Sequence, residues 1–546
     1  MKKLIFLLLL HLICIYSMAQ YVTISGNQFR LNGKTFYPMA LNYTVSIVKN
    51  NGNYFVSPVH SYNLTGNYEC NSMPSCNVQL KSEFDYIVGM GFNSLRLGFE
   101  PYYHPQRGLL FQYFPQNQST DTMRLPVNPF NPTDPGLLTV FSLYDQILEV
   151  ASAASLKIIL LVTGSRPKDF YELTYKLTQD EIDLRNAFLD ALSLHFSNAP
   201  NDEALMAYDL WNEPAYSLKI PPAKITKQEA CEIISNWYDI LKGNDPKRLI
   251  TIGNCGTNDI TAFDHTILKL DFNSLHYYPA FKAYEDRTDS SIQELARRRT
   301  INDLYWFNQT SFIPWIIGET GYTACEEYGI SDGLDGTLAY QATYAQYSLD
   351  VVCNCGGIGY SWWAYQDVTF DTPGPKFCGN FFGLLERFYA PSPAAEKPAV
   401  AHFRNYPTLP QSTGICLVDY SPTFDANKLY YNRYGYPRNP QYEIERIVKD
   451  QDGNPIKDAT ILVRTYFGND TIKLNGVVID YPERDDHYYT HTDVNGKFIA
   501  LPCPTKYGFV GTPTANLTPY VHTITVSCRR SGSKEMDFFV AYRWYK

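Results

Sequence analysis

The segment Tyr208-Asp209-Leu210-Trp211-Asn212-Glu213-Pro214 is an apolar run that stops on a polar pair, and Ile316-Ile317-Gly318-Glu319-Thr320-Gly321 repeats the pattern. Short runs of this kind read as buried strands whose C-terminal ends carry an acid. The two glutamates lie 106 residues apart, about three strand-plus-helix units. A (β/α)8 TIM barrel would put them on its fourth and seventh strands, facing each other across the C-terminal mouth.

Working outward, strand-like runs recur at Tyr37–Asn42, Ser94–Leu97, Lys157–Val162, Ala207–Trp211, Leu249–Gly253, Ser274–Tyr278, Pro314–Gly318 and Ile358–Trp363, which makes eight. Between them lie helical patterns, such as Asp180–Phe196 with apolar Ile182, Phe188, Leu189, Leu192 and Phe196, and Lys227–Leu241 with Ile233, Ile234, Trp237 and Leu241. This alternation predicts parallel βα units. Ahead of them, the turn signals Gly26-Asn27 and Asn32-Gly33 predict a hairpin that plugs the bottom of the barrel. Long stretches after the first two strands, about 43–77 and 98–135, are rich in Asn, Pro, Tyr and Phe and read as irregular loops that build a cleft. The expected division is a signal segment at 1–19, a barrel at 20–405, a linker at 406–440, and a small all-β sandwich at 441–546, with turns at Asp452-Gly453 and Asn495-Gly496.

Lys2 and Lys3, an apolar run from Leu4 through Ile15, and small residues around Met18 predict a secretory signal cleaved near Ala19, hence a secreted or extracytoplasmic protein. That run is too short to span a membrane, which needs about 20 apolar residues. A net charge of -9 and a pI near 5.6 provide no basic stripe for phosphates, which argues against a nucleic acid partner. A neutral polymer tolerates this charge, and the 44 tyrosines include enough rings to stack on sugars as well as to pack the core. Without Cys14, eleven of the twelve cysteines remain, so at least one thiol is left unpaired. Cys70 with Cys76 and Cys503 with Cys528 are candidate pairs, and Cys325, Cys353, Cys355 and Cys378 are placed to staple loops near the mouth. The Cys353-x-Cys355 spacing lacks a second ligand pair, so no metal or organic cofactor is expected.

One carboxyl that gives and retakes a proton, and a second that attacks a sugar from about 5 Å away, are the requirements for cleaving a glycosidic bond with retention. An isolated glutamate after a strand is more often an N-cap or a solvated loop acid. The facing pair tips the reading towards chemistry. Glu213 would be protonated when substrate arrives, and Glu319 ionised, with Arg96 and Tyr278 placed to favour its charged form. Strand alternation puts His276 and Tyr278 on one face. It also sends Asn212 away from Glu213, unless the pleat breaks at the strand end. Trp362 and Trp363 fall on opposite faces of the eighth strand, one for the cleft and one for packing, with Trp363 favoured for the cleft.

The barrel segment resembles glycoside hydrolase family 5, over about Val22 to Tyr406. The resemblance rests on Gly91-Phe92-Asn93-Ser94-Leu95-Arg96, Trp211 to Pro214, His276 to Tyr278, Gly318 to Gly321, and a closing segment with Gly383-Leu384-Leu385 and Lys397-Pro398-Ala399. It implies a retaining hydrolase with Glu213 as acid/base and Glu319 as nucleophile. Arg96, Asn212, His276, Tyr278, Trp362 and Trp363 would bind substrate, Asn212 through the sugar 2-hydroxyl. Leu161 to Ser165 lacks the histidine many cellulases of the family carry after the third strand, so β-mannan or mixed-linkage β-glucan stands beside cellulose as substrate. Segments 448–456 and 492–498 resemble the carboxypeptidase regulatory-like domain, which implies a spacer or a cell-surface or glycan contact. The expectation is a secreted β-glycanase acting on β-linked polysaccharide. An exo-acting glycosidase or transglycosylase on the same barrel, and a non-catalytic carbohydrate-binding protein, are the alternatives.

Overall fold

The computed structural model describes residues 21–58, 70–98, 101–104, 106–115, 123–163, 177–213, 227–255, 268–278, 300–301, 304, 307–308, 311, 313–325, 336–367, 378–386, 395–412 and 416, and in the C-terminal part 444–447, 455, 457, 460–464, 471–474, 477–479, 487–503, 521–529 and 536–545.

Eight strands of the described residues, Met39–Asn50, Ser94–Gly98, Lys157–Leu161, Leu205–Asn212, Leu249–Cys255, Asn273–His276, Trp315–Glu319 and Tyr360–Trp362, pair side by side in chain order, all parallel. The ring closes on the eighth. Tyr360 to Trp362 run parallel to Met39 to Leu41 of the first strand. On the other side, the N–H of Ile317 donates to the carbonyl of Gly359 (3.1 Å) and that of Thr320 to Ser361 (3.2 Å). Every barrel strand thus has two neighbours, and no barrel edge is left for other chains to pair with.

Helices Met73–Gly89, Pro135–Ala153, Gln179–Phe196, Lys227–Asn244, Leu338–Asn354 and Val400–Arg404 accompany the strands. Local chemistry fixes their starts. The Asp134 carboxylate accepts the N–H of Leu137 at 2.9 Å while Pro135 fills a first-turn position that needs no donor. Helix 179–196 buries Phe188, Leu189, Leu192 and Phe196, and helix 227–244 buries Ile234, Trp237 and Leu241, on the apolar faces the sequence pattern marks. No helix of the described residues is long and apolar enough to cross a membrane.

Below the barrel, Thr23–Ile24, Phe29–Leu31 and Lys34–Phe36 form a small antiparallel sheet whose second turn has Asn32 and Gly33 at φ 55° and 72°. Phe29 packs edge-on against Phe272, 5.2 Å between ring centres, within a cluster that includes Ile159, Met206, Leu249 and Ile316.

The stretches after the first two strands are not the irregular loops that their composition predicts. The first strand continues to Asn50 and turns back as Asn53–Pro58, while Tyr102–His104, Gly108–Pro115 and Met123–Val127 pair as a further antiparallel ribbon joined to it at Val48 and Phe114. Tyrosine and phenylalanine there are β-formers filling a core, which the interspersed Asn and Pro disguise.

In the C-terminal part the described strands form two antiparallel four-stranded sheets. One runs Ile444–Ile447, Lys497–Cys503, Thr471–Leu474, Val477–Ile479, and the other His487–His491, Thr460–Arg464, Val521–Arg529, Met536–Tyr545. The Asp493 carboxylate shapes the turn between them by accepting the N–H groups of Asn495 (2.8 Å) and Lys497 (2.9 Å). The signal segment, most of the linker and the Asp452-Gly453 turn lie outside the described residues.

Candidate active site

Arg96, pointing into the barrel from the second strand, is the hub of the mouth. Its Nε donates to Asp209 Oδ2 (2.7 Å), Nη1 to Asn42 Oδ1 (3.1 Å) and to Glu319 Oε1, and Nη2 to Asn212 Oδ1 (2.9 Å). The Tyr278 hydroxyl donates to Glu319 Oε2 at 3.0 Å. His276 Nδ1 sits 3.1 Å from Glu213 Oε1 and 3.5 Å from Glu319 Oε2. Residues from the first, second, fourth, sixth and seventh strands thus converge on one point, as strand ends of a closed barrel do.

Two local irregularities make the convergence possible. Between Asp209 and Asn212 the fourth strand carries one residue more than the fifth, so the alternation breaks and Asn212 joins Glu213 in facing the mouth. Glu213 itself adopts φ 50°, a left-handed conformation that costs a non-glycine residue about 1 kcal/mol. Its N–H is held by the carbonyl of Gly253 at 2.7 Å. A second slip, His276 pairing with Glu319 after Leu275 pairs with Ile317, leaves Gly318 as the extra residue. A Cβ at Gly318 would lie 2.0 Å from Ser274 Oγ, so only glycine lets the sixth and seventh strands close here.

Burial and charge set the protonation states. Burial pushes the imidazole of His276 down to about 4, against the opposing pull of Glu319, so the ring is neutral near pH 7. Its Nε2 has no hydrogen-bond partner among the described residues. Burial, then Glu319 and Glu213, push the Tyr278 phenol far up and keep it a donor. Burial alone would lower Arg96, but Asp209 and Glu319 outweigh it and hold the guanidinium charged. Of the two glutamates, Glu213 is the more open, at 18% side-chain exposure against 7% for Glu319, so Glu213 is the one that water can reach.

One donor atom each from Glu213, His276 and Glu319 lie within 4.8 Å of one another. Such a trio offers ligands to a divalent ion, but Arg96 and Tyr278 already occupy the oxygens of Glu319, and the guanidinium supplies the cation. The arrangement is instead suited to moving a proton on one carboxyl while the other attacks.

Of the residues singled out in the sequence, Arg96, Asn212, Glu213, His276, Tyr278 and Glu319 come together. Trp363 is half-buried at the end of the eighth strand. Trp362 is corrected: its ring is fully buried between Tyr344 and Phe403, with Nε1 donating to the Phe382 carbonyl at 3.0 Å, so of the two tryptophans it is the one that packs the barrel wall. Tyr102, Tyr103 and Tyr113 are buried in the ribbon core, and the side chain of Phe114 lies outside the described residues. Sequence reasoning missed Asn42, whose Nδ2 donates to Gly318 O (3.2 Å), Ser361 Oγ (2.9 Å) and Trp362 O (3.1 Å), and Phe382, edge-on to Tyr278 at 5.5 Å. It also passed over Asp209 within the quoted motif. An amide ending a predicted strand and an acid inside a buried run were the available signals.

Cys70 and Cys76 are bonded, as are Cys355 and Cys416, and Cys325 is in a disulfide too. Cys353 is the one free thiol among the described residues. The side chains of Cys378, Cys503 and Cys528 are not among those described.

A closed parallel barrel whose mouth holds two facing glutamates is the framework of a glycoside hydrolase. Comparison with known families gives the particular one: the model described as Cellulase (glycosyl hydrolase family 5) matches residues 48–368, more than half of the sequence, and the chain belongs to that family. Similar solved structures include a β-D-glucuronidase of Dictyoglomus thermophilum (16% identity, TM-score 0.46, covering 72% of this chain and 54% of that one). An exo-β-1,4-mannosidase of Opitutaceae bacterium strain TAV5 (16%, 0.47, 70% and 61%) and a β-glucuronidase of Ruminococcus gnavus (14%, 0.44, 70% and 52%) are others. The chain spans about half to three fifths of the length of these structures. No curated protein matches it.

Proposed function

We propose that this chain is a secreted, retaining β-glycanase that hydrolyses a β-mannan or β-glucan backbone by double displacement. The observation that carries the reading is that one carboxylate oxygen of Glu213 lies within 4.8 Å of one of Glu319, an approach in keeping with the close carboxyl pair of a covalent mechanism and closer than the roughly 6.5–9.5 Å between carboxyls in inverting enzymes. Glu213 protonates the departing glycosidic oxygen while Glu319 attacks the anomeric carbon, so the C–O bond to the leaving sugar breaks as the glycosyl ester forms. Glu213, now ionised, takes a proton from water, whose oxygen displaces Glu319 and restores both groups. Neutral His276 with its proton on Nδ1 donates to Glu213 and steadies that switch. Arg96 holds one oxygen of Glu319 and Tyr278 the other, which orients the carboxylate for attack.

Export rests on the N-terminal signal and accords with several disulfides. For the C-terminal part, two antiparallel sheets support a β-sandwich that serves as a spacer or a cell-surface or glycan contact.

The test is a panel of glucomannan, galactomannan, carboxymethylcellulose, mixed-linkage glucan and xylan, with Glu319→Ala as control and product NMR. Short oligosaccharides of retained configuration from one backbone, absent in the control, are expected. Release of a single end sugar marks an exo-enzyme, and inverted product refutes the assigned roles.

A further inference from the structure

Asp209 takes no part in the double displacement, yet it lies beneath both glutamates. It is wholly buried in the fourth strand, where its two oxygens do different things. Oδ2 accepts Arg96 Nε–H at 2.7 Å, and the opposite edge of that guanidinium holds Glu319. Oδ1 accepts the N–H of Gly253 at 2.8 Å, and the carbonyl of Gly253 holds the N–H of Glu213. Each proposed catalytic group is therefore one residue away from the same carboxylate.

We propose that Asp209 is the positioning residue that sets the spacing of the acid/base and the nucleophile, a role that rests on the double-displacement reading above. A guanidinium is a rigid planar fork, so fixing its Nε edge fixes the direction in which Nη1 meets Glu319. Glu213 is held in a left-handed conformation it does not favour, and the Gly253 peptide that holds it is itself anchored on Asp209. A buried ion pair that served stability alone is replaceable at little cost. A carboxylate with both oxygens committed, one to each side of the reaction, is not. Asparagine cannot reproduce it: its single carbonyl oxygen serves one donor, and its amide nitrogen then faces the N–H of the other.

The experiment compares wild type, Asp209→Asn and Asp209→Glu as full-length proteins. It measures kcat and KM on the polysaccharide that wild type degrades, melting temperature, and the rate at which 2-deoxy-2-fluoro-β-D-mannosyl or -glucosyl fluoride adds to Glu319 by intact mass spectrometry. A displacement of about 1 Å predicts that kcat and the labelling rate fall about 100-fold in both variants, with KM within about threefold of wild type and folding retained at the assay temperature. Where the asparagine variant does not fold, the glutamate variant, which keeps the charge one methylene away, decides alone. Labelling within threefold of wild type, or a loss confined to KM, overturns the role. A wild type that neither turns over polymer nor labels overturns the double-displacement reading and this role with it, so the two failures are told apart.

Discussion

His276 lies buried among Glu213, Glu319 and Arg96, with an imidazole held down to about 4 against an ordinary 6.5. Above pH 6.5 neither the folded nor the unfolded chain protonates it, and it imposes no penalty. As the pH falls from 6.5 to 4 the unfolded chain takes up a proton that the folded one refuses, so stability drains away by roughly 3 kcal/mol and levels off below pH 4. Urea unfolding at pH 7.5 and 4.5 should show wild type losing about 2–3 kcal/mol more than His276→Gln over that interval. Equal losses in the two proteins would sink the account. Arg96, Asn212, Glu213, His276, Tyr278 and Glu319 were legible one by one, at or near the ends of predicted strands, while Asn42 and Asp209 were not. What joins them was not: Arg96 reaches Asn42, Asp209, Asn212 and Glu319 across gaps of 54 to 223 residues, and no local pattern encodes a fork that closes over such distances.

Strand runs are a more robust signal than strand ends. The eight apolar runs appear as eight strands because a barrel strand is buried on both faces. The slip of register at Asn212 was open to anticipation as a pleat breaking at a strand end, whereas the one at Gly318 was not, because strict alternation gives no sign of a bulge. The fifth strand adds its own constraint. A Cβ on Gly253 would stand 2.7 Å from His276 Nε2 and 2.8 Å from Arg96 Nη2, and neither side chain can yield without disturbing the glutamates, since His276 meets Glu213 through Nδ1 and Arg96 meets Glu319 through Nη1. Gly253→Ala should lower stability by about 1–3 kcal/mol, as overpacking does, and kcat by about 100-fold, checked by melting and steady-state kinetics on one preparation. An active alanine variant would show that the fifth strand has more room than its contacts imply. The ribbon of 102–127 was misread for a different reason. Its composition read as an irregular loop, but Tyr102, Tyr103 and Tyr113 are spent on burial between paired strands, a role that aromatic rings serve as well as sugar stacking.

Across the whole chain, the Cys355–Cys416 disulfide closes a circuit of 61 residues. By its effect on unfolded-chain entropy, a loop of that length is worth about 4 kcal/mol. Replacing both cysteines by serine should cost about that much in urea unfolding, and a difference under about 1 kcal/mol would mean that the unfolded chain is already confined. Nothing in the spacing of Cys353, Cys355 and Cys416 could have chosen this pair, since connectivity follows from where the barrel's last strand and closing helix bring the chain. The bond also changes how the molecule bears load. Helix 400–404 has only five residues, and without a crosslink a pull on the chain beyond residue 416 would peel it away first. With the crosslink, tension enters at Cys355, just beyond helix 338–354, and passes directly to the eight-stranded barrel. The segment from 356 to 415, which carries the eighth strand and Trp363, lies inside the bypass and off that line of tension. Strain on the C-terminal part therefore bypasses the eighth strand and Trp363 at the mouth, and enters the barrel from the helix before them.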